Sequence, residues 1–496
     1  MKKADNAFLS EIDRKASEMK EKILGSKDEI TFSGKAHYVA EDGDDANDGL
    51  SPETAWRTPA RVSSAELSVG DAVLFKRGDI FRGQVITAPG VTYAAYGEGD
   101  KPKIYGYEVN LADEGKWLLV NSAKNIWKYT DKTLDAGTLV FNDGEYHSIK
   151  LIPSYSREGK YVLRDEPDKD FVLDEQMVRD LDIFCDVRQE MSKPNPEIPE
   201  LFPVPVINPN MYGDLYLRCD KGNPGKVFKS IELLPKRNTF AIKNNENVRI
   251  DNLCIKYCGA HGIGGGSCKG LHVTNCEIGW IGGSVQHYNG SNPKRCGIVT
   301  RYGNGVEIYG WCEDYVVDGC YIYEVYDAGV PQQTTAGGVR DVKMYDVRYT
   351  NNLIERCVYN IEYFLSETKG TKSLMKNFEI SGNILRYAGY GWGRQRYNPD
   401  TPAHIKSWDS ANPAENYNIH DNIFDRSTYR MLHIAFADAD SAPNLYGNTY
   451  IQEKGAKLGT FGVVGEGAKV YHVYDENAEK VITEEFGEKN GNIYYI

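Results

Sequence analysis

Acidic side chains occur at matching positions in several short strand-like segments of this chain. Aligning five segments on their first apolar residue gives one column of outward-facing residues: Glu307, Pro331, Glu362, Lys406 and His433. Neighbouring strands of a parallel sheet are about 4.8 Å apart, so Glu307 and Glu362 are expected on the order of 10 Å apart, across one strand. Asp327 precedes that intervening strand. Three carboxylates in one cleft fit glycoside hydrolysis, in which one acid protonates the leaving oxygen and another attacks or activates water.

A second column, two residues further along the same segments, is mostly aromatic. It contains Tyr309, Gln333, Phe364 and Trp408. Aromatic rings pack on the C–H faces of sugars, and polar groups beside them bind hydroxyls. The columns coincide with two long loops, 283–303 and 386–403, and loops on a rigid scaffold tend to carry function. We therefore expect these elements to wall a sugar-binding cleft.

The residues expected to bind substrate are polar or aromatic and belong to these columns, to the loops or to the starts of coils. They are His261, Arg301, Tyr302, Gln333, Trp392, Arg394, His404, Lys406, Trp408 and His433. The catalytic candidates are Asp327, Glu362 and Glu307, with Glu307 as a supporting carboxylate that raises the pKa of its neighbour. A structural interpretation also stands, because exposed charges on a sheet are often only solvated, and Glu362 beside Lys406 could be a cross-strand ion pair.

A recurring spacing predicts the element that positions these columns. Large apolar residues follow Asn or Cys by two positions in six segments, with the apolar residues at Ile278, Ile322, Ile354, Leu385, Phe424 and Tyr450. The number of residues between successive segments varies, while the apolar pattern within each segment is constant. This combination indicates one repeated coil that carries insertions. In a parallel β-helix, buried asparagines stack and satisfy one another's amides, and small residues such as Cys replace them without strain. The sequence thus predicts an all-β protein built on a right-handed parallel β-helix.

The predicted organisation has five parts. They are an N-terminal capping helix and linker (1–35), the first coils (36–110), an inserted β-sandwich-like domain (111–237), the main β-helix with the cleft (238–455) and a C-terminal β tail (456–496). The helix is expected to cover the open end of the first coil, whose apolar edge would otherwise be exposed.

Composition limits the partners of the protein. A net charge of -13 argues against nucleic acid or an anionic membrane as the main partner. With 34 tyrosines, an oligosaccharide substrate fits better. Residues 1–24 lack the apolar core of a signal peptide, and no stretch is long enough to span a bilayer, so we expect a cytoplasmic protein. A homo-oligomer is compatible with the sequence.

No cofactor and no catalytic metal are predicted. Ten cysteines lack zinc-type spacing and are expected to be reduced and packed. The acidic loop 41–49 resembles a calcium loop but has no terminal bidentate Glu, so a turn-rich structural loop is favoured over calcium.

Two N-terminal motifs and two later segments carry a family resemblance. Residues 38–52, YVAEDGDDANDGLSP, and residues 70–79, GDAVLFKRGD, look like the first coils of right-handed parallel β-helix carbohydrate-active enzymes. The insertion that follows is similar to the β-sandwich in β-xylosidase-type β-helix glycoside hydrolases, which use an Asp nucleophile and a Glu acid/base. This resemblance implies that Asp327, in EVYDAG, is the nucleophile and that Glu362, in NIEY, is the acid/base.

Two other functions fit the same scaffold. In a polysaccharide lyase or uronate epimerase, Lys406 or His433 would abstract a sugar C5 proton, although Lys406 beside Glu362 should keep a high pKa. A non-catalytic carbohydrate-binding β-helix would use the aromatic residues and would not need the acids.

Overall fold

The computed structural model describes residues 2–27, 30–187, 191–193, 196–206, 210–243, 246–290, 292–335, 341–366, 372–396, 401–408, 410–463 and 470–496. Residue 291 of the predicted loop 283–303 and residues 397–400 of the predicted loop 386–403 lie outside this part of the chain. The described residues form mostly β-strands, which confirms the all-β class.

Three long sheets, whose strands are parallel with one exception, form the body of the molecule. Sheet I contains Ile80–Arg82, Lys103–Tyr105, Cys254–Cys258, Glu277–Ile281, Tyr321–Val325, Leu353–Glu355, Ile384–Ala388, Ile423–Ser427, Thr449–Gln452, Asn492–Tyr495 and Lys2–Lys3. Sheet II contains Ala36–Val39, Ala72–Lys76, Thr92–Tyr96, Arg249–Asp251, Cys268–Thr274, Cys312–Asp318, Lys343–Thr350, Leu374–Ser381, Ala414–His420 and Asn444–Tyr446. Sheet III contains Val85–Ile86, Phe240–Ile242, Ile263–Gly265, Val306–Tyr309, Ala328–Thr335, Tyr359–Ser366, Ala403–Lys406, Leu432–Phe436, Gly459–Val463 and the antiparallel Val470–Val473.

From residue 249 onward, the chain passes repeatedly through sheet II, then sheet I, then sheet III, and one such passage is called a coil below. This order is what a parallel β-helix requires, whereas its right-handedness stays a prediction. The six apolar residues identified by spacing are consecutive partners across sheet I: Ile278, Ile322, Ile354, Leu385, Phe424 and Tyr450. Their side chains are fully buried, because each faces the core shared by the three sheets.

A ladder of buried asparagines follows the turn from sheet II to sheet I. The side-chain amide of Asn352 donates to Asn383 Oδ1 at 3.0 Å, that of Asn383 to Asn422 Oδ1 at 2.9 Å, and that of Asn422 to Asn448 Oδ1 at 3.1 Å. The ladder ends on the Glu488 carboxylate, which accepts from Asn448 Nδ2 at 3.0 Å. The predicted stacking of Asn residues is confirmed, and every buried amide in it has partners.

A separate set of strands lies between the sheet I strand Lys103–Tyr105 and the sheet III strand Phe240–Ile242. These strands are Trp117–Asn121, Ile126–Tyr129, Thr133–Leu134, Ala136–Phe141, Tyr146–His147, Ile149–Lys150, Ser154–Tyr155, Tyr161–Val162, Asp182–Asp186, Tyr212–Arg218 and Ile231–Pro235. They pair mainly antiparallel and pack around their own apolar core, which includes Leu139, Ile183 and Leu217.

The N-terminal helix, Asn6–Leu24, does not cap the first coil as predicted. It packs along the outer face of sheet I, where Ala16 and Ile23 contact Tyr321 and Leu353. The preceding strand Lys2–Lys3 pairs with Tyr494 and Tyr495 at the other end of the sheet. The apolar stripe of this helix finds its match on the outer, tyrosine- and leucine-rich face of sheet I rather than on an open coil edge.

The C-terminal segment is likewise no separate tail. Gly459–Val463 adds a parallel strand to sheet III, and Asn492–Tyr495 adds one to sheet I. The remaining helices are Pro59–Ser64, Leu173–Gln176 and Pro224–Val227, with 3-10 turns at Pro52–Thr54, Glu114–Lys116, Asn142–Gly144, Pro293–Arg295, Trp392–Gln395 and Ala439–Ser441, and a π-helix at Glu479–Glu485. Across the described ranges, no helix has the length and apolar character needed to cross a membrane.

Three insertions leave the coils at one corner, between sheet I and sheet III. They are the antiparallel strands just described, a hairpin formed by Val285–Tyr288 and Val299–Arg301, and the segment that contains Trp392–Gln395. The strands of sheet III start at this corner, so the insertions lie next to the N-terminal ends of these strands.

Candidate active site

A cavity of about 540 Å³ lies over sheet III at this corner. Its walls come from the corner and from strands of sheet III: His261, His287, Tyr302, Asn304, Glu307, Tyr309, Asp327, Gln333, Glu362, Phe364, Trp408 and Ser410. All three predicted catalytic acids and the whole predicted aromatic column are therefore brought together in one concave site.

The register of sheet III reproduces the predicted acidic column. The structure pairs Pro331 with Glu362, Glu362 with Lys406, and Lys406 with His433, and the neighbouring strand brings Glu307 beside Pro331. However, the column is not a solvated surface, because Glu307 is only 4% exposed and Glu362 only 2% exposed. The interpretation of these acids as ordinary surface charges is therefore wrong for this part of the sheet.

Asp327 lies at the corner, directly before the strand Ala328–Thr335. Its carboxylate forms an ion pair with the Arg396 guanidinium, which comes from the insertion after Trp392–Gln395. A guanidinium stabilises the charged form of an adjacent carboxylate. Asp327 is thus held as the anionic member of the site.

Glu362 lies in the middle of its strand and accepts two side-chain hydrogen bonds. One comes from the indole N–H of Trp408 and the other from the amide of Gln333. Burial, and then the negative charge of Asp327, raise the pKa of Glu362 to about 8, although Trp408 and Arg396 act in the opposite direction. At neutral pH this carboxyl group therefore retains its proton.

Glu307 is the second acid of the cavity whose protonated form is favoured. Burial, followed by the charge of Glu362, raises its pKa well above the ordinary value, while a hydrogen bond from Asn304 Nδ2 at 2.5 Å lowers it. Asn304 also accepts from the backbone N–H of Ala328 at 2.8 Å, so it ties Glu307 to the strand that follows Asp327. Burial has the largest effect on the pKa of Glu362, and the negative charge of Asp327 has the second largest.

His261 and Tyr302 form the wall nearest the corner, and their rings lie 5.9 Å apart. His261 Nδ1 accepts a hydrogen bond from the backbone N–H of Asn304 at 3.2 Å, which leaves the proton on Nε2. Burial lowers the pKa of His261 to about 4, so the ring is neutral near pH 7. These residues can bind sugar hydroxyls but cannot supply a positive charge.

Several predicted binding residues lie outside this cavity. Arg301 is buried behind its wall, donating from Nε to the Gly283 carbonyl at 2.6 Å and from Nη2 to the Gly137 carbonyl at 3.0 Å. Trp392 is also buried and donates from its indole to the Glu324 carbonyl at 2.7 Å. Both side chains fasten insertions to the coils instead of lining the cleft, a role that loop position alone could not reveal.

His404 and Arg394 are likewise misplaced by the prediction. His404 points into the core, where its Nδ1 accepts from Asn360 Nδ2 at 2.9 Å, and burial lowers its pKa to about 3. It is the second residue of the strand Ala403–Lys406, directly before the apolar Ile405, and its ring is fully buried. Arg394 lines a separate cavity of about 270 Å³ together with Tyr429.

Lys406 and His433 continue the column but do not line the cavity within the described residues. Lys406 is buried, donates to Thr401 Oγ1 at 2.8 Å and lies 4.2 Å from the centre of a Trp408 ring. His433 Nδ1 accepts from Arg430 Nη2 at 2.7 Å. The cavity therefore ends at Trp408, which follows the same strand as Lys406 and lies one strand before His433.

Apart from His287, which belongs to the predicted wall loop 283–303, two lining residues were not predicted. Asn304 lies between two glycines immediately before a sheet III strand, a polar residue at a position where the chain must turn sharply, and this signal was readable from the sequence. Ser410 follows Trp408 by two residues and carries no such signal.

The acidic loop 41–49 uses its carboxylates within the turn. Asp45 accepts from the backbone N–H groups of Arg57 and Thr58 at 2.8 and 2.9 Å, and Asp48 accepts from that of Leu50 at 3.0 Å. In the part of the chain that the structure describes, no group of three or more His, Cys, Asp or Glu side chains is placed to hold a metal ion. These contacts fit the favoured turn-rich structural loop, and calcium at this loop stays an untested alternative.

Comparison with known proteins gives distant relatives. No family model matches the chain. A lacto-N-biosidase from Bifidobacterium longum is 30% identical over 133 residues, which cover 24% of this chain and 8% of that protein. The chain therefore spans less than a tenth of the length of this curated relative.

Three solved structures align over most of the chain at low similarity. XylC in complex with xylose has a TM-score of 0.36 at 12% identity, covering 92% of this chain and 83% of that one. A GH136 lacto-N-biosidase from Eubacterium ramulus scores 0.32 at 11% identity, with 99% and 71% covered. A protein described as a glycoside hydrolase scores 0.38 at 9% identity, with 93% and 96% covered. All three scores are below 0.5, so the architecture rests on the strand pairing of the chain itself.

Proposed function

We propose that the protein is a glycoside hydrolase that cleaves oligosaccharides with Glu362 as the proton donor and Asp327 as the nucleophile. One observation carries the proposal: a carboxylate held anionic by an arginine lies in the same buried cavity as a carboxyl group that stays protonated at neutral pH. Two acids whose environments separate their pKa values are what hydrolysis of a glycosidic bond requires.

In the proposed reaction, Glu362 gives its proton to the glycosidic oxygen as the bond to the anomeric carbon breaks. Asp327 attacks that carbon and forms a glycosyl ester, and the alcohol product leaves with the proton. Water then donates a proton to Glu362 and attacks the same carbon, which releases Asp327 as a carboxylate. Trp408 and Gln333 orient Glu362, and the rings of Tyr302, Tyr309 and Phe364 face the sugar.

The identity of the sugar is the finer part of the proposal. The short match to a lacto-N-biosidase supports lacto-N-biosides as one substrate to test. The resemblance of the first coils and of the insertion to β-xylosidase-type enzymes supports xylosides as the other. A lyase or epimerase has less support, because both of its candidate bases, Lys406 and His433, lie outside the cavity lining that the structure describes.

The decisive experiment measures hydrolysis of a panel of nitrophenyl glycosides that includes a xyloside and a lacto-N-bioside. For the substrate that is cleaved, Asp327→Asn should lower turnover roughly 10²- to 10⁴-fold with the fold unchanged. NMR of the first-formed product should show retention at the anomeric carbon; inversion would remove the nucleophile role from Asp327. A rise in absorbance from an unsaturated product would indicate a lyase, and binding without turnover would indicate a carbohydrate-binding protein.

A further inference from the structure

Glu324 is a largely buried acid that the proposed reaction does not use. It lies in the sheet I strand Tyr321–Val325, three residues before Asp327, and its side chain is only 16% exposed. Burial raises its pKa to about 7, although the Trp392 backbone N–H and the charge of Arg356 act in the opposite direction. A buried carboxyl group costs free energy unless hydrogen bonds compensate it, so the partners of Glu324 indicate what it does.

Two hydrogen bonds join Glu324 to Trp392, the first residue of the 3-10 turn Trp392–Gln395. Glu324 Oε2 accepts from the Trp392 backbone N–H at 2.9 Å, and the Glu324 backbone carbonyl accepts from the Trp392 indole at 2.7 Å. The first N–H groups of a helical turn find no acceptor inside the turn, so a side-chain oxygen at this place stabilises it. Glu324 therefore fastens the start of this insertion to the coils.

The segments 324–327 and 392–396 meet again at their far ends. Arg396 directly follows the 3-10 turn and is tied to it, because its backbone N–H donates to the Gly393 carbonyl at 3.0 Å. The Arg396 guanidinium pairs with the Asp327 carboxylate. The first residue of one segment thus contacts the first of the other, and the last contacts the last.

The contact between the two ends is closely packed. The rings of Tyr326 and Trp392 have their centres 5.0 Å apart. Gly393 lies so near the Tyr326 backbone that a Cβ atom in its place would be 2.7 Å from the Tyr326 carbonyl oxygen. The turn fits against the coil in one arrangement, so a displacement at Trp392 would displace Arg396 as well.

We infer that Glu324 is a positioning residue, which holds Trp392 and thereby places the Arg396 guanidinium against Asp327. Glu324 itself lies outside the cavity lining that the structure describes. The inference rests on the proposed function for its effect on the reaction, since the anionic Asp327 is the proposed nucleophile. The contact between the two segments requires no turnover and can be measured without it.

The first experiment compares substitutions of Glu324 that differ in the acceptor they leave. Glu324→Leu fills a similar volume without an acceptor, whereas Glu324→Gln keeps one acceptor oxygen for the Trp392 N–H. On a glycoside that the wild type cleaves, Glu324→Leu should move the acid limit of the pH profile upward by about one pH unit, because Asp327 loses the cation that favours its charged form. Turnover on the acid side should therefore fall roughly tenfold, and Glu324→Gln should restore most of it.

Glu355→Leu is the matched control. Glu355 lies on the neighbouring strand of sheet I, its side chain is 11% exposed, and it accepts from the Tyr321 hydroxyl at 2.9 Å. Its removal also deletes a buried acceptor, but it should leave the wild-type pH profile in place. Glu324→Ala replaces Glu324→Leu in each comparison if the leucine variant does not fold.

The second experiment is a double-mutant cycle on urea unfolding of wild type, Glu324→Leu, Arg396→Gln and the double variant. If Glu324 holds Arg396 in place, Arg396→Gln should raise the unfolding equilibrium constant by a factor roughly threefold smaller in the Glu324→Leu background than in wild type. Two contacts that act independently would give the same factor in both backgrounds.

The outcomes separate the two proposals. Equal factors in the unfolding cycle overturn the inference, and so does a Glu324→Leu variant that cleaves glycosides with the wild-type pH profile. Unequal factors without hydrolysis of any glycoside support the placement of Arg396 by Glu324 and reject the proposed reaction. Unequal factors together with a raised acid limit, absent from Glu355→Leu, support both.

Discussion

Replacing Glu362 by glutamine should make the protein more stable at neutral pH while it removes activity. Burial and the charge of Asp327 raise the pKa of Glu362 from 4.5 to about 8. Between these values the unfolded chain releases the proton and the folded chain keeps it, so this site lowers the free energy of unfolding as pH rises. At pH 7 the effect amounts to roughly 3 kcal/mol, and it vanishes below about pH 4.5, where both states are protonated.

Glutamine has nearly the same shape as the protonated acid and does not titrate. It has only one acceptor oxygen, however, whereas the Glu362 carboxyl accepts from both Trp408 and Gln333. Loss of one of these bonds costs about 1 kcal/mol. Glu362→Gln should therefore be about 1 kcal/mol less stable than wild type near pH 4.5 and about 2 kcal/mol more stable at pH 7.

Urea unfolding of both proteins at pH 4.5, 6, 7 and 8 measures this change of sign. Comparing the two chains at each pH cancels the titrating groups that do not interact with Glu362. Glu66→Gln, an exposed residue in a loop, is the matched control and should follow wild type throughout. A stability difference between Glu362→Gln and wild type that does not change with pH would refute the raised pKa, and with it the choice of Glu362 as proton donor. Turnover should fall roughly 10²- to 10⁴-fold in the same variant.

Three further substitutions test the neighbours of Glu362 and the scaffold. Asp327→Asn should lower the pKa of Glu362, because the adjacent negative charge is lost, so the pH at which the fall in stability ends should move down from about 8; an unmoved value would contradict the coupling. Trp408→Phe removes the N–H that donates to Glu362, so the upper pH limit of activity should rise above about 8; a profile identical to wild type would count against this role. Asn383→Ala interrupts the ladder and should reduce the free energy of unfolding by roughly 1–3 kcal/mol per unsatisfied group, whereas the exposed Asn444→Ala should change it by under about 0.5 kcal/mol.

The coils could be predicted from sequence because their signals are local and repeated. The spacing of apolar residues fixes which of them face the core, and strand alternation then fixes the outward column. Glu307 and Glu362 were found in this way, since each follows an inward apolar residue. The ladder was found for the same reason, because an asparagine that recurs at one place in successive coils has its neighbours above and below as partners.

Contacts between distant segments could not be predicted in this way. Arg396 and Asp327 are far apart in sequence, and their pairing depends on how the insertion after Trp392–Gln395 folds back over the corner. Loop residues such as Arg301 and Trp392 have types suited to sugar binding, but they are used to fasten insertions. The N-terminal helix shows the same limit, because its apolar stripe identifies a buried face and does not identify the surface that buries it.

The assignment of roles to the three acids depends on the insertions more than on the column. A carboxyl group on an open sheet face would be solvated and would keep an ordinary pKa; the walls raised at the corner remove that solvent from Glu362 and Glu307. Burial alone would raise the pKa of all three acids and would not determine which of them is ionised. Arg396 breaks this symmetry, because its guanidinium lies against Asp327 and stabilises the charge there. The charge on Asp327 then adds to burial in keeping Glu362 protonated, so one arginine from an insertion determines both the anion and the proton donor.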